Sequence, residues 1–150
     1  MPTVECGFPS ATITGLSPAD TLARIGPTIL VRINSYPGPG IAPAGSAAQQ
    51  IPALIDTGAS LNCLDEILAQ QLQLQVVDQL TAGGIAGPAK LNVYLAQITV
   101  PALNLNQFAR FAGVHLQAAG QAHRALLGRP FLSGCSMLYD GKTGSVQLTH

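Results

Sequence analysis

The sequence predicts a mainly β domain, a small closed or folded sheet accompanied by short helices. Three observations carry this expectation. Short apolar and β-branched runs recur along the chain, Gly-, Pro- and Asp-Gly-rich turns separate them, and helical periodicity is confined to brief stretches.

Residues 1–25 show little periodicity and are read as an N-terminal extension, with residues 26–150 as the domain proper. Within the extension, Ser17-Pro18-Ala19-Asp20 offers a capping serine and a proline at the first helical position, which predicts a short helix over 18–24. Thr28-Ile29-Leu30-Val31-Arg32-Ile33 reads as a strand. The stretch 34–50 is rich in Pro, Gly, Ala and Ser and reads as a long loop. Ile51-Pro52-Ala53-Leu54-Ile55 is a second strand, running straight into Asp56-Thr57-Gly58. Asp65 can cap a helix on which Ile67, Leu68 and Leu72 fall at helical spacing. Strand alternation returns from Leu74 to Leu80, residues 81–88 form a glycine-rich turn, and 89–100 and 107–116 read as two more strands. Ala125-Leu126-Leu127 is a short apolar strand ended by Gly128. Residues 129–134 predict a short helix, and the tail is a hairpin turning at Asp140-Gly141.

A chain of 150 residues suits a single domain, and an apolar fraction of 47% suffices for a normal core. Charged residues make up only 9%, seven basic against seven acidic. No basic field exists to attract nucleic acid or anionic lipid, so neither is expected as a partner. Sparse charge also predicts apolar surface available to a second subunit. Cys6, Cys63 and Cys135 are odd in number and widely spaced, which fits neither a disulfide framework nor a zinc site; they are read as reduced thiols. The N-terminus lacks the basic start and apolar stretch of a signal peptide, and no apolar run reaches membrane-spanning length, so a cytoplasmic location without a membrane partner is the default expectation.

Chemistry concentrates at Ala53-Leu54-Ile55-Asp56-Thr57-Gly58-Ala59-Ser60. An apolar strand delivers an acid into a tight Thr-Gly turn, which would hold a carboxylate at the floor of a cleft. Gly58 lets the chain reverse and its N–H approach the carboxylate, and the Thr57 hydroxyl can tie the turn to a neighbour. The tripeptide alone is equally compatible with an Asx turn in which Asp56 bonds only its own backbone. Elsewhere the signals are weaker. His115, His123 and His150 are scattered, and Ser60 lies outside a nucleophile elbow. Cys63 is read as buried beside the helix, and Asp65 and Asp140 as capping and turning residues.

Taken in order, these segments resemble the retropepsin family of single-domain aspartic peptidases. The apolar strand with Asp56-Thr57-Gly58-Ala59-Ser60 comes first, then the helix with Leu68 to Leu74. Gly83-Gly84-Ile85-Ala86-Gly87 is similar to a flap tip, and Leu126-Leu127-Gly128-Arg129 with Phe131-Leu132 is similar to the family's C-terminal segment. The resemblance implies a retropepsin-like acid protease fold with a flap hairpin, and Asp56, Thr57 and Gly58 as the catalytic triplet. It places Ala59, Ser60, Gly83, Gly84, Ile85, Ala86, Gly87, Leu127 and Gly128 against substrate, and Arg129 in a structural or dimer role. Ile55, Ile85 and Leu127 either shape apolar pockets or are plain core. No metal or organic cofactor is implied.

Three departures stand out. Ser60 occupies a position where viral members often carry an acid paired with the C-terminal arginine, so Arg129 needs another partner. The 34–50 loop replaces a tight turn. The C-terminal hairpin is longer than the viral tail, which bears on how a dimer is sealed. Ala59, unlike the Ser or Thr of pepsin-like relatives, cannot donate a hydrogen bond to the carboxylates, which predicts a cleavage optimum at mildly acidic to neutral pH.

The chain holds one Asp-Thr-Gly and is too short for a two-lobed enzyme. The expected partners are therefore a second copy of the chain, supplying the second carboxylate across a two-fold axis, and a peptide or protein substrate. The expected activity is endopeptidase cleavage of extended segments. The alternatives are a catalytically weak peptide-binding or dimerisation module on the same fold, or a self-processing protease domain.

Overall fold

In the computed structural model the described residues are 1–10, 15–35, 49–83 and 85–150. Most of the loop expected over 34–50 (residues 36–48) lies outside them, as does Gly84. Ten strands and three α-helices follow along these residues. They are β1 (Thr3–Glu5), α1 (Pro18–Ile25), β2 (Thr28–Ser35), β3 (Ile51–Ile55), β4 (Asn62–Asp65), α2 (Glu66–Gln71), β5 (Gln75–Ala82), β6 (Ala89–Val100), β7 (Leu105–Val114), β8 (Ala125–Leu127), α3 (Arg129–Leu132), β9 (Ser136–Asp140) and β10 (Ser145–Thr149).

The larger sheet runs β2-β3-β8-β4-β7-β6-β5, and a further pairing of β2 with β6 closes it into a barrel. The fold is mainly β, as the recurring apolar runs predict. β6 serves both halves of the structure. Its first part pairs with β5 from Ala89 to Leu95, and its last part pairs with β2 from Ala96 to Thr99. A hairpin of β5 and β6 therefore projects from a strand rooted in the barrel. The strands beside the turn that follows β3 are arranged differently. β3 pairs in parallel with β8, and β4 in parallel with β7, so chain segments far apart in sequence converge there.

Alternation sets the core. On β2, Ile29, Val31 and Ile33 are buried while Leu30 and Arg32 face outward. Ala96, Ile98 and Val100 of β6 join Leu64, Phe111, Leu127, Val146 and Leu148, all of them fully buried. Each fully buried Leu, Ile, Val or Phe contributes about 1.5–3 kcal/mol over its exposed state. Placing the barrel lining and the C-terminal hairpin in one cluster makes them a single cooperative unit.

α1 forms where the serine cap predicts it. Ser17 Oγ accepts from Asp20 N at 3.1 Å, and Gly26, at φ +83°, ends the helix by donating its N–H to Leu22 O. The N-terminal strand β1 was not legible in the sequence. It joins a second sheet of order β1-β10-β9, and the Glu5 carboxylate fastens it there by accepting from Val146 N, Gly7 N and Ser145 Oγ. The C-terminal hairpin closes through Asp140, which accepts from Lys142 N and Thr143 N, and through Gly144 at φ +75°. His123 is buried, its Nε2 2.7 Å from Thr28 Oγ1, and burial pushes its imidazole below the ordinary value.

Candidate active site

Asp56 stands at the end of β3, where the parallel neighbour β8 fixes its backbone: Asp56 N donates to Leu127 O at 2.9 Å. The chain then turns. Gly58 N donates to Asp56 Oδ1 at 2.9 Å, and Ala59 N donates to Asp56 O at 3.2 Å. The Asx-type bond is thus present, and it engages one carboxylate oxygen. Among the described residues the other oxygen has no hydrogen-bond partner. Thr57, Gly58 and Ser60 are exposed, and Asp56 and Ala59 half-buried.

A second segment clasps this turn. Gly128 N donates to Asn62 Oδ1 at 3.0 Å, Arg129 N to Ala59 O at 2.9 Å, and Arg129 Nη1 to Thr57 O at 3.0 Å. The partner that Arg129 needs in place of an acid at position 60 is therefore a main-chain carbonyl. Gly128 is required by close approach. A Cβ there would lie 2.5 Å from Leu61 O and 2.7 Å from Ala59 O. Neither backbone oxygen can swing aside, so Gly128→Ala should destabilise the chain by about 1–3 kcal/mol. Urea denaturation reads this directly; an unchanged midpoint would mean that the two segments are not held so closely.

The sequence-predicted residues fall into three groups. Asp56, Thr57, Gly58, Ala59, Ser60, Gly128 and Arg129 come together at the clasped turn. Gly83, Ile85, Ala86 and Gly87 form the exposed tip of the β5–β6 hairpin, with Gly87 at φ +101°; Gly84 falls outside the described residues. Leu127 is the exception. It was expected against substrate or in the core, and it is fully buried. What it gives the turn is its carbonyl, and its side chain belongs to the core, as does that of Ile55.

Between the turn and the hairpin lies a cavity of about 250 Å³ walled by Leu61, Leu80, Val93 and Ala112, with Asp78 and Arg110 at its edge. Those two charges are 4.0 Å apart and largely exposed, so they contribute little to stability. A wider opening of about 420 Å³ adjoins it, sharing Leu61, Asn62 and Arg110. An apolar side chain on an extended peptide could enter here. Cys63 lies on β4, which runs directly into α2, and is half-buried opposite Leu126 and Ala112. Burial first, and then the nearby Asp56 charge, push its thiol up, so it stays protonated and is a poor nucleophile.

Two supporting groups escaped the sequence reading. Asp65 caps α2 as predicted, accepting from Leu68 N at 3.3 Å, yet it is fully buried and does more. Its Oδ1 accepts from Leu116 N and Gln117 N, each at 3.0 Å, and its Oδ2 pairs with Arg124 Nη2 at 3.3 Å. Burial alone would raise its pKa, but three backbone donors and Arg124 outweigh that and hold the carboxyl below its ordinary range. Tyr94 of β6 donates its hydroxyl to Glu66 Oε1 at 2.6 Å, tying the hairpin's root to α2, and Gly113 leaves room for the Glu66 carboxylate. Among the described residues no group of three or more His, Cys, Asp or Glu is placed to hold a metal ion, and no helix is long and apolar enough to cross a membrane.

The chain's likeness to known proteins follows the same lines. A family model described as aspartyl protease matches residues 42–131. No curated protein matches the chain. In structure the chain is similar to a retropepsin-like aspartic protease from Rickettsia conorii, at 18% identity and a TM-score of 0.50, covering 81% of this chain and 80% of that one. It is also similar to the protease of simian foamy virus (mac), at 14% identity and a TM-score of 0.48, covering 71% and 91% respectively.

Proposed function

The chain belongs to the aspartyl protease family and has a retropepsin-like fold, and on that premise we propose that it is an endopeptidase, active as a homodimer, in which two Asp56 carboxylates activate one water. The observation that carries this reading is the clasped turn. It presents Asp56 with one oxygen bound to Gly58 N and the other unengaged among the described residues, while each chain has only one Asp-Thr-Gly.

Two carboxylates facing each other across a two-fold axis cannot both ionise cheaply, so they share a proton. The handling of that proton follows the general behaviour of aspartic peptidase dyads. The ionised Asp56 takes a proton from water as the water attacks the scissile carbonyl, and the protonated Asp56 hydrogen-bonds the carbonyl oxygen. The tetrahedral diol collapses as the amide nitrogen takes a proton and leaves, freeing a carboxylic acid and an amine. No acyl-enzyme forms. The hairpin of β5 and β6, with Gly83, Ile85, Ala86 and Gly87 at its tip, acts as a flap. It lays main-chain hydrogen bonds along an extended peptide and excludes water. The pocket of Leu61, Leu80 and Val93 favours an apolar side chain near the cleaved bond. Because Ala59 gives the dyad no hydroxyl, cleavage is best at mildly acidic to neutral pH.

Dilution tests the dimer. Initial rates on a peptide library, measured over a wide range of enzyme concentration, should fall more steeply than in proportion to concentration once dimers dissociate. Strict proportionality down to concentrations at which sedimentation shows only monomer would refute shared catalysis. A complete lack of cleavage at high concentration and every pH would favour the peptide-binding module instead.

A further inference from the structure

The slot beside β7 is only half filled. β6 runs along β7 from Leu105 to Ala112, whereas β4 pairs with it only from Phe111 to Val114. Among the described residues, 105–110 of β7 therefore have a strand neighbour on one side alone. The chain does not extend β4 into this space, because Arg129 holds the preceding residues, Thr57 and Ala59, in the turn that carries Asp56.

The opening of about 420 Å³ lies in that gap. Residues 107–110 of β7 line it together with Leu61, Asn62 and Pro130. Consecutive residues of a strand point to opposite faces of its sheet, so a cavity that touches all four lies along the strand's edge. Natural sheets guard such edges with Lys, Pro or a bulge. This stretch has no Lys or Pro, and it meets β6 in unbroken register. Leu61 and Phe108 stand beside it 42% and 53% exposed.

We propose that this edge is an outlying substrate site, where the segment flanking the cleaved stretch of a protein substrate adds as a further strand beside β7. The proposal deepens the endopeptidase reading above and rests on it. Continuity selects substrate as the occupant. The opening shares Leu61, Asn62 and Arg110 with the smaller cavity walled by Leu80 and Val93, so a peptide seated in one reaches the other at Leu61. Charge selects among segments. Arg110 is the one charged residue among the described residues lining the opening. Its contact with Asp78, at 4.0 Å between exposed groups, is weak enough to yield to a carboxylate on the substrate. The two-fold axis of the dimer repeats the edge on both sides of the cleft, so each flank of a substrate meets one. Long extended segments with acidic flanks are thereby favoured over short peptides.

Tailed peptides test this. A library peptide that the protein cleaves is lengthened at both ends with Val-Glu-Val-Glu, Val-Lys-Val-Lys or Gly-Ser-Gly-Ser. For wild type the Val-Glu tails should raise kcat/KM about ten-fold over the Gly-Ser tails, through KM, because several cross-strand pairs are gained at each end. The Val-Lys tails should fall about three-fold short of the Val-Glu tails. Arg110→Gln should erase that difference and Arg110→Glu should reverse it. Arg110 is exposed, so both variants should keep the wild-type circular dichroism. Equal kcat/KM for all three tails on wild type overturns the site and leaves the endopeptidase reading standing. A preference for Val-Glu tails that both variants retain overturns it too, since the tails then bind elsewhere. If no peptide is cleaved, the endopeptidase reading fails by itself, and fluorescence anisotropy of the three tails, each labelled with fluorescein, judges the edge. Tighter binding of Val-Glu than of Gly-Ser by wild type, lost in Arg110→Glu, supports it, and equal binding overturns it.

Discussion

Asp56→Asn should lower peptide cleavage by about 10³-fold or more while leaving the fold intact. The two halves of this expectation have separate physical bases. The loss follows because an amide can neither take a proton from water nor share one with its twin. The preserved fold follows from the bonds Asp56 makes within the chain: its backbone N–H reaches Leu127 O, and its Oδ1 only accepts from Gly58 N. An asparagine carbonyl can accept the same bond. Rates on a peptide library, compared with dimer content by sedimentation, distinguish a lost carboxylate from a lost dimer. Equal cleavage by variant and wild type would mean that another group carries the reaction.

Asp65→Ala should destabilise the chain by about 3–5 kcal/mol, the largest effect on stability expected here. The side chain is buried and answers three backbone N–H donors and Arg124. Removing it strands those donors and leaves a half-buried guanidinium without its anion. Asp65→Asn keeps an acceptor and should cost less. Denaturation at a fixed protein concentration measures both, and a change under 1 kcal/mol for the alanine variant would sink the assignment.

Acid should reproduce part of this loss. Asp65 has a folded pKa below its ordinary 3.8, so its stabilisation is complete above that value and disappears as pH falls through the lowered one. His123 acts earlier. Its folded pKa lies below 6.5, so as pH drops under 6.5 the unfolded chain gains a proton first and stability declines. Wild type should lose stability in both windows, whereas Asp65→Asn should lose less in the lower one, where the lowered carboxyls of Glu5 and Asp140 still titrate.

The barrel was largely legible because its strands advertise themselves. β2, β3 and β6 are apolar with β-branched residues, β7 mixes apolar with polar side chains along its first half, and α1 carries a serine cap and a proline in the expected places. β1 and β4 were not. Thr-Val-Glu and Asn-Cys-Leu-Asp are short and mixed in polarity, and what makes them strands is pairing with residues far along the chain: β1 with β10, β4 with β7 and β8. The Asp-Thr-Gly turn was legible as a motif, but its clasp was not. Nothing local in the sequence says that Asn62 will accept from Gly128 N, or that Arg129 will settle on Thr57 O. Asp65 was half legible for the same reason: capping is a local pattern, and its bonds to Leu116, Gln117 and Arg124 are long-range. Leu127 reads identically as pocket wall or core in one dimension, and only burial decides between them.

The grip of Arg129 on a peptide carbonyl has a consequence for what the surroundings can change. A guanidinium paired with a carboxylate is loosened by dissolved ions, which screen the attraction. One hydrogen-bonded to an uncharged main-chain oxygen gives those ions little to work on. It also frees position 60 from partnering duty, so the side chain there can drift among small polar choices without slackening the bend that carries the acid.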